Sequence, residues 1–128
     1  DPCRSRGLGD VYKRQAKFGE LAAANGMDGS APYVGESYDA AAIIALAIQA
    51  GGSADKQSIL NNISKVSNAP GIVINPGQLS YGLQMLAAGK DIDYQGATDV
   101  EFNAFGDADG AFKELEVSGG EFVTVGAL

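Results

Sequence analysis

Carboxylates are the most numerous reactive side chains in the chain, and one segment concentrates them. Asp91, Asp93, Asp99 and Glu101 fall close together. A pair of carboxylates held at a fixed separation in a cleft can do general acid–base chemistry. This spacing specifies neither the separation nor the cleft, so we predict a solvated acidic loop here and no catalytic residue.

A second acidic motif, Asp107-Ala108-Asp109-Gly110, raises the possibility of calcium binding. A calcium loop of the EF-hand type needs oxygen ligands at alternate positions, a glycine at the sixth position and an acid at the twelfth. Counted from Asp107, the fifth residue is Ala111 and the sixth is Phe112. The pattern fails, and the segment predicts a turn with no metal site.

The residue types that most enzymes use are scarce. The chain has no histidine, and its one cysteine is Cys3. Residues 16–128 therefore hold no zinc site of the Cys/His kind, no thiol nucleophile and no Ser-His-Asp triad. We expect no enzymatic activity and no cofactor.

The net charge of the chain argues against two classes of partner, nucleic acids and anionic membrane surfaces. The formal net charge is −7, and nucleic-acid binding requires a basic surface that replaces counterions. An acidic chain is equally unsuited to an anionic membrane surface. The longest nearly apolar stretch, residues 40–48, is much shorter than the roughly 20 residues of a membrane-spanning helix.

Residues 1–15 differ from the rest, since they carry a net charge of +2 whereas residues 16–128 carry −9. Residues 10–15 can be encoded by GAT GTG TAT AAG AGA CAG, which resembles the end sequence recognised by the transposase used to fragment DNA for sequencing. Residues 5–9 fit the adapter arm joined to that end. A natural basic arm is the alternative. We expect an artefactual, disordered leader that makes no lasting contact, with the authentic chain starting near Ala16.

The front half of residues 16–128 has helical patterns. Residues 38–50 are rich in Ala, Ile and Leu, with Ser37 as the expected cap and Gly51-Gly52 as the stop. Ser53-Ala54-Asp55 starts a second, amphipathic helix with Asn62 on its polar face. After a short strand at residues 72–74, leucines at 79, 83 and 86 mark a third helix closed by Gly89.

The tail is strand-rich. Val100 and Phe102 alternate with polar residues, and apolar residues recur again from Phe112 to Val125. Gly106-Asp107 and Gly119-Gly120 supply turns. The chain therefore predicts an α/β fold with a helical front half and a strand-rich tail.

Three ordered motifs resemble the leucine/isoleucine/valine-binding protein family. Residues 36–41 (Glu-Ser-Tyr-Asp-Ala-Ala), running on to 45–51, resemble its Tyr-Asp-Ala helix. Residues 89–97 (Gly-Lys-Asp-Ile-Asp-Tyr-Gln-Gly-Ala) resemble its Gly-x-Asp-Ile-x-Tyr-x-Gly-Ala segment. Residues 100–102, then 106–107, resemble its Val-x-Phe strand and Gly-Asp turn. Asn103 and Thr98-Asp99 depart from the family's pattern.

The resemblance implies a C-terminal fragment of a two-lobe type I periplasmic binding fold, with residues 16–128 as roughly its last third. Such proteins are exported to the periplasm or anchored at the surface. They close on a small ligand, such as a branched-chain amino acid or an amide, and pass it to a membrane ABC permease. The alternative is a ligand-sensing lobe of a receptor or regulator with the same fold.

The resemblance also implies two ligand-binding residues, Tyr33 and Glu36. The aromatic residue of a Pro-aromatic-Val segment lies at the cleft edge in this family, and Pro32-Tyr33-Val34 matches that segment. Glu36 lies near the start of the helix that follows. The alternative for Tyr33 is that it only covers the core of the lobe. Most other groups that bind the ligand lie upstream of this chain in the family.

Overall fold

The computed structural model describes residues 8–110 and 112–127 as a mixed α/β arrangement. Four helices lie at α1 (Leu8–Ala24), α2 (Val34–Gly51), α3 (Lys56–Ser67) and α4 (Leu79–Ala87). Four strands lie at β1 (Ile72–Ile74), β2 (Ile92–Tyr94), β3 (Lys113–Ser118) and β4 (Glu121–Ala127). The predicted α/β class, with helices in front and strands in the tail, is confirmed at this level. No helix in the described ranges is long and apolar enough to cross a membrane.

The central helix is α2, whose Leu46 and Ala47 are fully buried. Gly52 ends it in the left-handed conformation, with φ 67°, and donates its N–H to the Ile48 carbonyl at 2.8 Å. The helix begins four residues before the predicted start. Ser37 is not the cap, because its own N–H already donates to the Tyr33 carbonyl at 2.9 Å and so lies within the first turn.

Helix α3 packs along α2, and its start is the predicted one. The Asp55 side chain caps it by accepting hydrogen bonds from the backbone N–H groups of Gln57 (3.1 Å) and Ser58 (3.3 Å). The predicted exposure of Asn62 is wrong, because Asn62 is buried where α3 faces the end of α2. Its amide is satisfied there by donation to the Ser58 carbonyl at 2.8 Å.

Strands β1 and β2 pair in parallel, with Ile72 opposite Ile92 and Ile74 opposite Tyr94. Helix α4 connects them, which is the usual crossover between parallel strands. Both strands contribute to the core, which groups apolar residues of α2, α3 and the two strands. Its fully buried members include Leu46, Val66, Ile74, Ile92 and Tyr94.

Strands β3 and β4 form an antiparallel hairpin, as the tail pattern predicts. Gly119 (φ 62°) and Gly120 (φ 83°) both have positive φ, which is the requirement of a type I′ turn between two strands. The preceding alternation at Val100 and Phe102 does not form a strand, and Phe102 makes only an isolated bridge to Ala108.

The expected boundary at Ala16 falls inside α1, which begins at Leu8. The expectation of a disordered leader without contacts is therefore wrong for residues 8–15, whereas residues 1–7 lie outside the described residues. Arg14 is only 5% exposed and donates to the Gln95 side chain at 3.2 Å. Once the helix of residues 16–24 exists, each added residue costs little, because propagation needs no new nucleus. The adapter origin of residues 1–15 stays a prediction.

Candidate functional site

A buried carboxylate links α2 to the segment that follows β2. Asp39 is 2% exposed. Its carboxylate accepts four hydrogen bonds: from the Tyr94 hydroxyl (2.8 Å), the N–H groups of Ala97 and Thr98 (both 2.8 Å), and the Thr98 hydroxyl (2.5 Å). Because a desolvated charge is stable only with such donors, these residues act as one unit. We call this set, Asp39 with Tyr94, Gly96, Ala97 and Thr98, the Asp39 junction.

Gly96 is required at the Asp39 junction for two reasons. Its φ is +60°, a conformation that other residues rarely adopt. A Cβ at this position would also lie 2.2 Å from Asp39 Oδ1 and 2.5 Å from Tyr94 Cε2. The backbone of residue 96 can therefore lie this close to the Asp39 carboxylate only because glycine has no side chain.

Tyr94 stays protonated within the junction. Its burial raises the pKa of the hydroxyl far above its ordinary range, and the negative charge and hydrogen bond of Asp39 raise the pKa further. The neutral hydroxyl is consequently a permanent donor to Asp39. From the sequence, Asp39 was recognised as part of the Tyr-Asp-Ala motif, and its role as a buried hydrogen-bond acceptor was missed. A signal was present, since Asp39, Ile43 and Leu46 share one face of an apolar helix, where a charge needs donors.

Beside the start of α2 lies an open groove with a volume of about 680 Å³. Its walls come from α1, the loop before α2, the first turns of α2 and the turn before α4. The lining residues are mostly apolar, with none charged: Phe18, Leu21, Ala22, Asn25, Met27, Pro32, Tyr33, Val34, Ser37, Tyr38, Gly77, Leu79 and Ser80. A mostly apolar recess with a few polar groups is typical of small-molecule sites.

Tyr38 fixes two walls of the groove. Its ring lies against Phe18, with centroids 5.3 Å apart and planes at 56°. Its hydroxyl accepts a hydrogen bond from the Gly77 N–H at 3.0 Å, which joins α2 to the turn before α4. Because Asp39 follows Tyr38 directly, the Asp39 junction holds the same helix turn in place from the other side.

The loop that leads into the groove is ordered by Asp28. Its carboxylate accepts hydrogen bonds from the Ser30 hydroxyl (2.6 Å) and the Ser30 N–H (2.9 Å). The hydroxyl bond is the main reason that the pKa of Asp28 is lowered, and the backbone bond adds to it. These contacts close the loop just before the Pro32-Tyr33 segment.

Of the two predicted ligand-binding residues, the structure brings only Tyr33 to the groove. Tyr33 adopts a left-handed backbone conformation (φ 67°), and its side chain is 77% exposed at the groove edge. This high exposure does not favour the alternative of a core-covering residue. Glu36 is exposed in the first turn of α2 and is not among the described residues that line the groove. Their roles in ligand binding stay predictions.

A second recess, of about 450 Å³, lies beside the exposed side of β1. Lys13, Arg14 and Lys17 give it cationic character, and Asp10, Val73, Asn75 and Gln95 complete its lining. Three of these residues belong to the predicted leader, so we do not assign this recess as a ligand site.

The acidic segment is only in part the solvated loop that the sequence predicted, since Asp91 is exposed but Asp93 is buried. Asp93 is only 4% exposed on β2 and accepts a hydrogen bond from the Gln95 amide at 3.2 Å. Asp99 lies 3.8 Å from Arg14 Nη2. Both carboxylates thus have structural partners, and no group of three or more metal-ligating side chains occurs among the described residues.

A turn lies at residues 103–106, where the Gly106 N–H donates to the Asn103 carbonyl at 3.1 Å. The turn predicted for residues 107–110 is wrong, because these residues form none. The Asn103 side chain accepts hydrogen bonds from the N–H groups of Phe105 (2.8 Å) and Asp107 (3.1 Å). The Asn103 N–H in turn donates to the Asp107 carbonyl at 2.8 Å. Asn103 is therefore sufficient to close this turn, although it departs from the family's motif.

Comparison with known proteins identifies no relative: no family model, no curated protein and no solved structure matches the chain.

Proposed function

We propose that this protein is the substrate-binding component of an ABC transporter for a branched-chain amino acid or a related small amino acid or amide. In this proposal residues 16–128 form the C-terminal third of a two-lobe type I periplasmic binding fold, exported to the periplasm or anchored at the cell surface. The permease in the membrane receives the ligand from the closed form.

The groove beside α2, with Tyr33 at its edge, is the observation that carries this proposal. Its volume of about 680 Å³ falls within the range of small-molecule sites. An exposed aromatic ring with one polar tip is suited to pack on a ligand side chain. The Pro-aromatic-Val segment that the resemblance assigns to the cleft edge is thus located at a recess.

The Asp39 junction gives further support, because two of the resembling motifs meet there. Asp39 of the Tyr-Asp-Ala helix binds Tyr94 and Ala97 of the segment at residues 89–97. Residues that are far apart in the sequence are therefore joined by one buried carboxylate. A binding protein that closes around its ligand needs rigid lobes, and a satisfied buried network supplies rigidity.

A substitution at Tyr33 tests the proposal in the longer protein that supplies the remaining ligand contacts. Tyr33→Ala is expected to weaken amino-acid binding by about 1–3 kcal/mol, because it removes most of one aromatic contact. Isothermal titration with a panel of amino acids and amides measures the change. Tyr81→Ala is the matched control, since Tyr81 is also exposed (41%) but does not line the groove.

The outcomes separate a ligand contact from a structural residue. Loss of affinity in Tyr33→Ala alone, with the fold intact by circular dichroism, supports the site. Unchanged affinity in an intact Tyr33→Ala protein shows that Tyr33 has no ligand role. Absence of binding to every member of the panel in the unsubstituted protein overturns the proposed function itself.

A further inference from the structure

We infer that Asn25-Gly26 is a site of spontaneous modification, at which the asparagine loses ammonia and becomes aspartate or isoaspartate. The inference does not rest on the proposed function, since it concerns the chemistry of the chain itself. Asn25 lines the groove beside α2, so the modification changes one wall of that groove. The placement of Asn25 and Gly26 and the restraints on the other asparagines support the inference.

The reaction at Asn25 needs water as its only co-reactant. The Gly26 backbone nitrogen loses its proton to solvent and attacks Cγ of Asn25, which forms a new C–N bond. The Cγ–Nδ2 bond breaks as Nδ2 takes up a proton and leaves as ammonia, and a cyclic succinimide results. Water then adds to either carbonyl carbon of the ring and breaks its bond to nitrogen. The amide is thereby replaced by a carboxylate, and the chain gains a negative charge.

Both residues of the pair are exposed just beyond the end of α1 at Ala24. Gly26 has a φ of +73°, and a Cβ at this position would meet no described atom within 4 Å. Because glycine also has wide backbone freedom, its nitrogen can rotate toward the Asn25 side chain. Two bonds must open first, from the Gly26 N–H to the Ala23 carbonyl (3.0 Å) and from the Asn25 amide to the Leu21 carbonyl (2.9 Å). Both lie at a helix end, where opening costs little free energy.

Three other asparagines lack a backbone nitrogen that is free to attack. Asn75 precedes Pro76, whose nitrogen has no proton to lose. Asn61 and Asn62 lie inside α3, where the following backbone N–H groups donate to helix carbonyls. Cyclisation at these positions requires α3 to unfold or, at Asn75, does not occur by this route.

The side chains of Asn68 and Asn103 are fixed by hydrogen bonds. Oδ1 of Asn68 accepts from the Phe102 N–H at 2.9 Å, and the Asn68 amide donates to the Phe102 carbonyl at 2.7 Å. Oδ1 of Asn103 accepts from the N–H groups of Phe105 (2.8 Å) and Asp107 (3.1 Å). The residue after each of them is alanine, whose side chain hinders ring closure more than glycine does. Ring closure is therefore expected first at Asn25.

The product differs from asparagine in its hydrogen bonding and in its charge. The Asn25 amide donates to the Leu21 carbonyl, and a carboxylate cannot donate this bond. A negative charge at the C-terminal end of a helix is also unfavourable, because the last carbonyls there carry partial negative charge. Leu21, Ala22 and Met27 line the groove together with Asn25. The modification is therefore expected to loosen the end of α1 and to add a charge to this wall of the groove.

Mass spectrometry of the full chain, aged in warm and mildly alkaline buffer, tests the inference. Peptide mapping at successive times follows, at each asparagine, the mass gain that replaces NH2 by OH. We expect conversion at Asn25 to be at least about tenfold faster than at Asn68 or Asn103, which corresponds to a barrier lower by about 1.4 kcal/mol. Asn25→Gln is the matched control, because glutamine keeps the amide donor but closes such a ring much more slowly. Its peptide should show no mass gain over the same time.

Ageing in guanidinium chloride separates exposure in the fold from a property of the sequence alone. Unfolding should accelerate conversion at Asn68 and Asn103, which it frees, by a larger factor than at Asn25. A larger acceleration at Asn25 would show that the end of α1 protects it, and this overturns the inference, as does earlier conversion of any other asparagine. Asn25→Asp should unfold at a lower urea concentration than Asn25→Gln, and equal midpoints would overturn the expected effect on α1.

Discussion

At the scale of single residues, the structure depends on one buried carboxylate. The Asp39 carboxylate accepts hydrogen bonds from Tyr94, Ala97 and Thr98. Its neighbour Tyr38 lines the groove. A buried charge left without donors costs far more than an exposed one. The position of the groove walls therefore depends on residues that do not line the groove.

Alanine at Gly96 should disrupt the Asp39 junction. We expect Gly96→Ala to lower the free energy of unfolding by about 3 kcal/mol or more, because overpacking adds to the cost of a left-handed backbone. Gly89→Ala is the control: Gly89 has φ +76° but open space around its Cβ position. It should lose only about 1–2 kcal/mol, the backbone cost alone. Urea denaturation compares the two, and equal losses would contradict the packing at Gly96.

Alkaline titration should leave Tyr94 protonated at pH values above the ordinary tyrosine pKa of 10.0. Its folded-state pKa is raised above the ordinary value of 10.0, first by burial and then by Asp39. The raised pKa stabilises the fold fully below the ordinary value, and this contribution is lost as the pH rises through the folded-state value. Tyrosinate absorbance, followed together with circular dichroism, measures the ionisation.

Tyr94→Phe is the comparison for this titration. Before alkaline unfolding, the variant should give the same absorbance change as the unsubstituted protein, since Tyr94 does not contribute. The chain has five tyrosines. A loss of about one fifth of the early change in Tyr94→Phe would show that Tyr94 ionises normally, contrary to its burial.

The sequence pointed to one residue of this candidate site, and it did so only through a family resemblance. The Pro32-Tyr33-Val34 segment pointed to Tyr33 through a resemblance of short motifs, and Tyr33 does lie at a recess. The partnership of Asp39 with Tyr94 was not predictable, because hydrogen bonds between distant segments leave no periodic signal in the sequence. Glu36 was predicted because it lies near the helix start. That position does not determine where its side chain points, and Glu36 does not line the groove.

At the scale of elements, the sequence predicted those helix and strand boundaries that are set by a capping side chain or by glycines in a turn. Helix α3 starts at the predicted place, with Asp55 as its cap, and Gly119-Gly120 form the predicted hairpin turn. Strand β2 was not predicted, because Asp93 interrupts its apolar residues, whereas the continuous apolar run Ile72-Val73-Ile74 indicated β1. The burial of β2 comes from tertiary contacts. The start of α2 was misplaced because a left-handed Tyr33 replaces the usual capping side chain.

A substitution in α1 tests whether the contacts of residues 8–15 stabilise the fold. Arg14→Ala removes the contacts with Gln95 and Asp99. We expect it to lower the free energy of unfolding by about 1 kcal/mol, the net value of a typical hydrogen-bonded contact. Lys13→Ala, at an exposed position of the same helix, should be nearly neutral. If urea denaturation shows no loss of stability for either variant, the Arg14 contacts do not stabilise the fold, and the prediction of a leader without lasting contacts stands.

At the scale of the whole molecule, several apolar side chains of the described residues are exposed, and two groups of them form surfaces. The groove beside α2 is one of them. The other is one face of the β3–β4 hairpin, where Leu115, Val117 and Phe122 are 48%, 67% and 76% exposed. Apolar surfaces of this kind mark sites of interaction. Both agree with the proposal that this chain is one part of a larger two-lobe protein.

The most direct test of the central claim locates the ligand on the molecule. Nitrogen-15 NMR spectra of the full chain, recorded during titration with L-phenylalanine and L-leucine, report which backbone amides sense the ligand. We expect concentration-dependent shifts at residues 18–38 and 77–80, around Tyr33, with the hairpin amides unchanged. Shifts confined to other surfaces, or no shifts with either amino acid, would contradict the claim that this groove is the ligand site.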